Sequence, residues 1–366
     1  MSKLFEITLF PAKEGDCILI GYGDDDKKYI LIDAGRAWTY SHALKEYLRE
    51  SNIDTLELVV VTHVDRDHID GMQKFAEDRD LTIHVKDFWF NTWEHLHGNA
   101  IEVPANDEDM EEFGAKMGEN LSTQILKNNW PWNKQFNGRP VEVGDTGAAN
   151  EIQLGDLKLT LISPDRQKLD KMTSIWEKEC KKAGIVPGSS VEDYAVSDND
   201  DEGMGALDID ELADTPFEKD GSASNGTSIA FILEYNGNRI LLSGDAHADL
   251  LIDCLKRLGA TIDNPLQLDV FKVPHHGSSY NLSIELLALM DCKHYLVSTN
   301  GNYFKHPDEI AMARLIKYGT PDSTLHFNYR SQFTTLWDSN SWKSDYQYKT
   351  NYPEIDADGY LMLRIE

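Results

Sequence analysis

Two imidazoles and two carboxylates fall within six residues in Thr62-His63-Val64-Asp65-Arg66-Asp67-His68-Ile69-Asp70-Gly71, directly after the apolar run Leu58-Val59-Val60-Val61. A short buried strand thus ends in a turn crowded with groups that are costly to strip of water. Metal binding is the chemistry that best explains such crowding, because cations offset the carboxylate charge. Three later segments carry related residue types near strand ends. They are Asn225-Gly226-Thr227-Ser228, ahead of a hairpin closing on Ser243-Gly244-Asp245; Lys272-Val273-Pro274-His275-His276-Gly277-Ser278; and Asn302-Tyr303-Phe304-Lys305-His306-Pro307. A Gly-Asp pair alone is commonly a turn, and a His-His pair alone is often a surface accident. All four in order make a joint signal.

The elements that must position these residues are legible as alternations and caps. Strands are expected over 4–10, 17–20 and 29–32, joined by turn residues as an antiparallel meander, with Asp33-Ala34-Gly35 at the end of the third. A helix is expected over 42–50 with Ser41 as its N-cap, then the strand 58–61 that delivers the first motif, a helix over 69–77 and a strand over 88–90. From 92 to 140 the pattern loosens into a helical insertion, acidic over 105–119, in which Trp130 and Trp132 pack on the body. Strand character returns over 154–164. A second insertion over 165–222 is acidic, and its run Asp198, Asp200, Glu202, Gly203 hints at a calcium loop. Ile209 stands where such a loop needs a bidentate Glu, so a mobile acidic loop is the better reading. Further strands are expected over 227–235 and 239–243, paired through Asn236-Gly237-Asn238, then over 270–273, 294–298, 328–336 and 359–364, with helices over 249–258 and 308–318. Two successive strand-and-helix halves suit an αββα sandwich.

Composition narrows the function classes. The 366 residues, 41% of them hydrophobic, can bury a sizeable core, and no stretch has the roughly 18 consecutive apolar residues of a membrane span. No signal-peptide pattern opens the chain, so it reads as cytoplasmic, with no membrane partner. Cys17, Cys180, Cys254 and Cys292 are scattered and form no Cys-x-x-Cys pair, which argues against a zinc ribbon or a disulfide framework. A net charge of −28 argues against an extended duplex-binding groove. It leaves room for a short strand end, a small phosphodiester, or a basic protein partner docked on the acidic insertions.

The first motif has the form of the H-x-[HD]-x-D-H signature of metallo-β-lactamase-fold hydrolases. With Asp65 at its second ligand position, and with the three later segments in the same order, the chain resembles most the soluble C-terminal domain of ComEC, the competence DNA-uptake protein. The resemblance covers the body but not the two insertions. It implies an α/β (α+β) fold of the αββα metallo-β-lactamase type, spanning 1–366 as a single domain with insertions at about 92–140 and 165–222. It implies two divalent ions, Zn²⁺ or Mn²⁺ with Mg²⁺ also admissible. His63 and Asp65 would hold one ion, Asp67 and His68 the second, and Asp245 would bridge both. His275 or His276 would complete the second site, and the sequence does not separate them. Asp33 would support the metal loop by hydrogen bonding. Many relatives supply a third His from mid-chain; His84, His95 and His97 are the candidates here, and the ComEC-like domain lacks that residue. An oxygen-rich first site favours harder ions.

The chemistry so implied is hydrolysis of phosphodiester bonds by a metal-bound hydroxide, with nuclease activity as the leading version. Asp67 could also orient the attacking water, His306 could hydrogen-bond a phosphoryl oxygen or protonate the leaving oxygen, and Asn225 and Ser278 could line the substrate pocket. Hydrolysis of a cyclic nucleotide or another small phosphodiester is the second reading. The third is an effector or scaffold subunit active only in complex with a partner protein. Lys272, Lys305 and Arg66 are the scattered basic candidates for a nucleic-acid track. His42, His247, His294 and His326 have no motif around them.

Overall fold

Alternating apolar side chains build two sheets that face each other across one interior. The computed structural model describes residues 4–100, 117–144, 150–182 and 207–365. Among the described residues the strands are β1 (Leu4–Leu9), β2 (Ile18–Gly23), β3 (Lys28–Ile32), β4 (Thr55–Leu56), β5 (Leu58–Val60), β6 (His84–Val85), β7 (Phe88–Trp89), β8 (Asn150–Leu154), β9 (Leu157–Ser163), β10 (Ala230–Tyr235), β11 (Asn238–Leu242), β12 (Leu266–Lys272), β13 (Met290–Val297), β14 (Thr324–Phe327), β15 (Lys349–Asn351) and β16 (Leu361–Arg364). One sheet runs β16-β1-β2-β3-β5-β7, the other β15-β14-β13-β12-β11-β10-β9-β8, and β4 pairs with β6 alone. The first three strands are the antiparallel meander expected from their turns, while β5 joins β3 in parallel.

The interior side chains of both sheets belong to one cluster. Ile7, Ile20 and Val60 from the first sheet meet Leu161, Phe231 and Leu241 from the second. On the outer face of the first sheet Leu31 and Val59 pack beneath Leu44, Leu48, Ile69 and Met72 of the covering helices. Burial of such side chains, each worth about 1.5–3 kcal/mol, is the main force that holds the layers together. This is the mixed α/β architecture expected from the two strand-and-helix halves.

Several boundaries differ from the sequence reading, each for a local reason. The first helix begins at Ala37 and runs through one π turn to Glu50. Ser41 is therefore inside it, donating its hydroxyl to the Ala37 carbonyl rather than capping. The helix of the first motif starts at Arg66, so Asp67 and His68 occupy its first turn. The strand expected over 328–336 does not form: the strand is β14, and Ser331 begins a short helix, Gln332–Thr335, through a reciprocal capping box with Thr334. Trp130 stacks on Phe75 and Phe88, and the Trp132 indole donates to the Phe90 carbonyl. Residues 105–116 and the calcium-loop-like run at 198–203 lie outside the described residues. Among the described residues no helix is long and apolar enough to cross a membrane.

Candidate metal centre

The chain reaches the centre from five strand ends. β5 delivers His63, β11 delivers Asp245, β12 delivers His275 and His276, β3 ends at Asp33, and the turn before β2 supplies Asp16. Close backbone approaches hold these ends together. A Cβ on Gly15 would lie 1.8 Å from the Asp67 carbonyl oxygen, and one on Gly71 would lie 2.0 Å from that of Ala34. Asp33, His275 and His276 all adopt positive φ, a strained setting for non-glycine residues that the surrounding contacts must enforce.

Asp33 is fully buried and satisfied three times over. It accepts the Thr62 backbone N–H at 2.8 Å, the Thr62 hydroxyl at 2.7 Å and the His68 Nδ1–H at 2.8 Å. That last bond leaves His68 Nε2 facing inward. His276 is fixed in the same way, its Nδ1–H donating to the Ser298 carbonyl at 2.9 Å. The two Nε2 atoms then face each other at 3.2 Å. With both Nδ1 protons committed, two neutral rings would oppose lone pair to lone pair, so a cation or a proton belongs between them.

Carboxylates close around this pair. Asp245 Oδ2 lies 3.5 Å from each of the two Nε2 atoms, 3.8 Å from His63 Nε2 and 3.9 Å from His275 Nε2. Asp67 Oδ2 lies 3.8 Å from His68 Nε2 and 3.6 Å from His276 Nε2. Asp65 Oδ2 lies 3.4 Å from His63 Nε2, while its Oδ1 accepts the Ser224 hydroxyl at 2.5 Å. Burial opposes ionisation of Asp245, yet the imidazoles of His276, His68 and His275 hold its carboxyl well below the usual range. Burial likewise opposes charge on His68, yet Asp245, Asp67 and Asp33 raise its pKa well above that of an ordinary imidazole.

The donor set fits divalent metal. His63, His68 and Asp245 each bring a ligand atom within 4.8 Å of the others, as do Asp67, His68 and His276. His63 Nε2 and Asp245 Oδ1 are buried without any hydrogen-bond partner. Such atoms are normally satisfied, and a metal ion would satisfy them here. Five carboxylates, those of Asp16, Asp33, Asp65, Asp67 and Asp245, face this cluster, with the Lys272 ammonium beside them in a pair with Asp16.

His275 stands apart from His276. Its Nδ1 bonds to Asn281 Oδ1 at 2.9 Å and lies 3.3 Å from Asn225 Nδ2, and its ring is partly exposed at the mouth of the centre. His306 packs edge-to-face on it with ring centroids 5.2 Å apart, and bonds through Nδ1 to Asp308 at 2.8 Å. Ser278 is buried in the same turn, its hydroxyl accepting the Tyr280 N–H. Sequence reasoning missed Asp220, whose Oδ2 accepts from Asn225 and Asn281 and lies 3.7 Å from His275, and Ser224, the donor to Asp65. A lysine closing a buried strand was a signal for the Lys272–Asp16 pair. Lys272 is fully buried, so it cannot serve in a nucleic-acid track.

The mid-chain histidines are engaged elsewhere. His95 accepts the Thr92 N–H through Nδ1 and reaches the Gly138 carbonyl through Nε2, both at 3.1 Å. Burial pushes its pKa down to about 4. A folded-state pKa below the unfolded value of about 6.5 gives stability that is complete above that value and lost as pH falls toward 4. Unfolding free energy should drop by about 2 kcal/mol from this residue between pH 6.5 and 5. Urea midpoints of wild type and His95→Asn should show a shallower acid loss in the variant. His97 bonds to the Trp93 carbonyl, and His84 is exposed in β6.

The sequence pattern of the metallo-beta-lactamase superfamily matches residues 11–301. The chain belongs to that superfamily. The chain is 36% identical over 92 residues to exodeoxyribonuclease YycJ of Bacillus anthracis, a match that spans 25% of this chain and 33% of that protein. The chain thus aligns with about one third of that relative's length. Among solved structures it is similar to the diiron β-hydroxylase CmlA of Streptomyces venezuelae, at 10% identity and a TM-score of 0.42, covering 100% of this chain and 55% of CmlA. It is also similar to a diphosphatase of the PhnP family, at 10% identity and a TM-score of 0.38, covering 99% of each chain.

Removing a supporting hydrogen bond should be felt at the centre of this metallo-beta-lactamase fold. Asp33→Asn keeps the shape but weakens the grip on His68 Nδ1–H, and an expected outcome is metal affinity lower by about 10–100-fold. Competition with a chromophoric chelator measures it.

Proposed function

We propose that this superfamily member is a metal-dependent phosphodiesterase that acts on nucleic acid. His63 and Asp65 would hold one divalent ion, Asp67, His68 and His276 a second, and Asp245 would lie between both. The observation that carries the reading is the opposed pair of His68 and His276 Nε2 atoms, 3.2 Å apart and ringed by carboxylates. The chemistry that ions supply in such a site is activation of water near neutral pH and neutralisation of charge on a phosphoryl oxygen.

The chain's own residues have separable parts in this. Asp33 and the Ser298 carbonyl set the tautomers that turn Nε2 of His68 and His276 inward. Ser224 orients Asp65 so that its second oxygen faces His63. His306, with Nδ1 engaged by Asp308, keeps Nε2 for a hydrogen bond to the phosphoryl oxygen or a proton to the leaving oxygen. Asn225 and His275 line the mouth. The name of the YycJ relative and the resemblance to ComEC-type domains support a nuclease over other hydrolases. The net charge of −28 favours a substrate with few phosphates, so a small phosphodiester is the second reading.

Purified protein should be tested on single-stranded DNA, duplex DNA, RNA and bis(p-nitrophenyl) phosphate with Mn²⁺, Mg²⁺ or Zn²⁺, beside an Asp67→Ala/His68→Ala control. Metal-dependent cleavage of a polymer, lost in the control, supports the nuclease. Cleavage of the small diester alone shifts the reading to a small-substrate phosphodiesterase.

A further inference from the structure

Four aromatic side chains are exposed among the described residues, Trp38, Tyr280, Tyr303 and Phe304, and all four lie on segments that flank the metal centre. The other exposed large hydrophobics are aliphatic. Three of the four, Trp38, Tyr303 and Phe304, belong to one connected surface. From His275 the ring of His306 is 5.2 Å away, Phe304 stacks beyond it at 6.1 Å, and Tyr303 lies edge-on to Phe304 at 4.7 Å. Arg36 reaches over Tyr303 at 5.9 Å, and Trp38 stands two residues further on, with the His42 ring stacked on it at 4.9 Å and Lys13 Nζ 5.0 Å from its centroid. The Lys13 carbonyl accepts the Asn300 N–H, which ties the two loops together.

This surface also carries positive charge in an acidic chain. Arg36 is paired with Glu14. Lys13 and Lys305 instead rest on aromatic faces, of Trp38 and Phe333, and neither is in an ion pair with a described residue. Rings roughly 40–50% exposed, spaced along a path to the centre and interleaved with ammonium groups, match the chemistry that holds unpaired nucleotides. Bases inside a duplex are already stacked and cannot use such rings. Two free lysines also fall far short of the basic groove a duplex needs.

Building on the nuclease reading above, we propose that this strip binds a single-stranded stretch of nucleic acid leading into the site. Bases stack on Phe304 and Tyr303, and backbone phosphates lie on Lys305 and on Lys13, which is held over Trp38. The site thereby selects an unpaired end over intact duplex.

The test is fluorescence anisotropy with a labelled eight-nucleotide dT strand and a hairpin duplex of equal length, with Ca²⁺ in place of the catalytic ion. The wild type should prefer the single strand. Tyr303→Ala and Phe304→Ala should each weaken it about fivefold or more, while Tyr303→Phe should not. Ile262→Ala, an exposed site in the turn before β12 and so at the far end of that strand from His275, is the control and should bind as wild type. Lys305→Ala should flatten the salt dependence by about 0.7 in log–log slope. Equal binding after ring removal, or duplex bound as tightly as the single strand, overturns the strip. Wild-type cleavage of bis(p-nitrophenyl) phosphate is measured separately. Cleavage with indifferent ring variants overturns the strip alone. Absence of cleavage of this diester and of single-stranded DNA, duplex DNA and RNA with any metal overturns the phosphodiesterase reading, and the binding data still decide the strip.

Discussion

Asp245→Ala should lower the phosphodiester turnover proposed above by a factor on the order of 10³ or more, with the fold retained. The size of the effect follows from position. One carboxylate oxygen lies within 3.9 Å of four imidazole nitrogens, from His63, His68, His275 and His276, and among the described residues no other acid touches as many. It stands between the two candidate ligand groups, so its loss would weaken both at once and leave the charge of bound cations less compensated. Gly244, with φ of +50° and a Cβ position 3.2 Å from Thr62, sets the turn that aims it. Turnover on bis(p-nitrophenyl) phosphate and bound metal per chain should fall together while the far-ultraviolet circular dichroism is unchanged. Turnover within tenfold of wild type would mean that Asp245 is only a turn residue.

Lys272→Met should cost about 3–5 kcal/mol of stability. Lys272 is fully buried at the end of β12, in an ion pair with Asp16 and donating to the Gly244 carbonyl at 3.2 Å. Burial opposes the charged form of Asp16, and Lys272, followed by His276 and His68, nevertheless holds its carboxyl below the usual range. Methionine fills the space but leaves a buried carboxylate with its main partner gone. Removing both charges, as in Asp16→Asn/Lys272→Met, should recover part of the loss, because the buried anion goes too. Urea unfolding of the single and double variants measures this. Equal stability of Lys272→Met and wild type would contradict it.

What the sequence disclosed and what it concealed divide along chain distance. The motif at 62–71 is legible because its candidate ligands are neighbours and its helix places Asp67 and His68 in one turn. The meander was readable because β1, β2 and β3 alternate and are joined by turn residues. Asp33 was read as a support of the metal loop, and the structure brings it to Thr62 and His68. Asp16 and Lys272 are 256 positions apart, and no local pattern announces that pairing. Ser224 and Asp220 sit in an acidic stretch where one hydroxyl or carboxylate looks like the next, until the fold brings them to Asp65 and His275. The strand expected over 328–336 gives way to a helix because Ser331 and Thr334 have the spacing of a capping box. Which of two adjacent histidines turns inward depends on the positive φ values of His275 and His276, which sequence does not encode legibly.

The most direct measurement is a metal titration of chelator-treated protein, following turnover of bis(p-nitrophenyl) phosphate against ions added per chain. Turnover should start near zero, rise with Mn²⁺ or Zn²⁺ and saturate at two ions per chain, with no response in the Asp67→Ala/His68→Ala variant. Full turnover without metal, or a metal response that survives in that variant, would contradict the account.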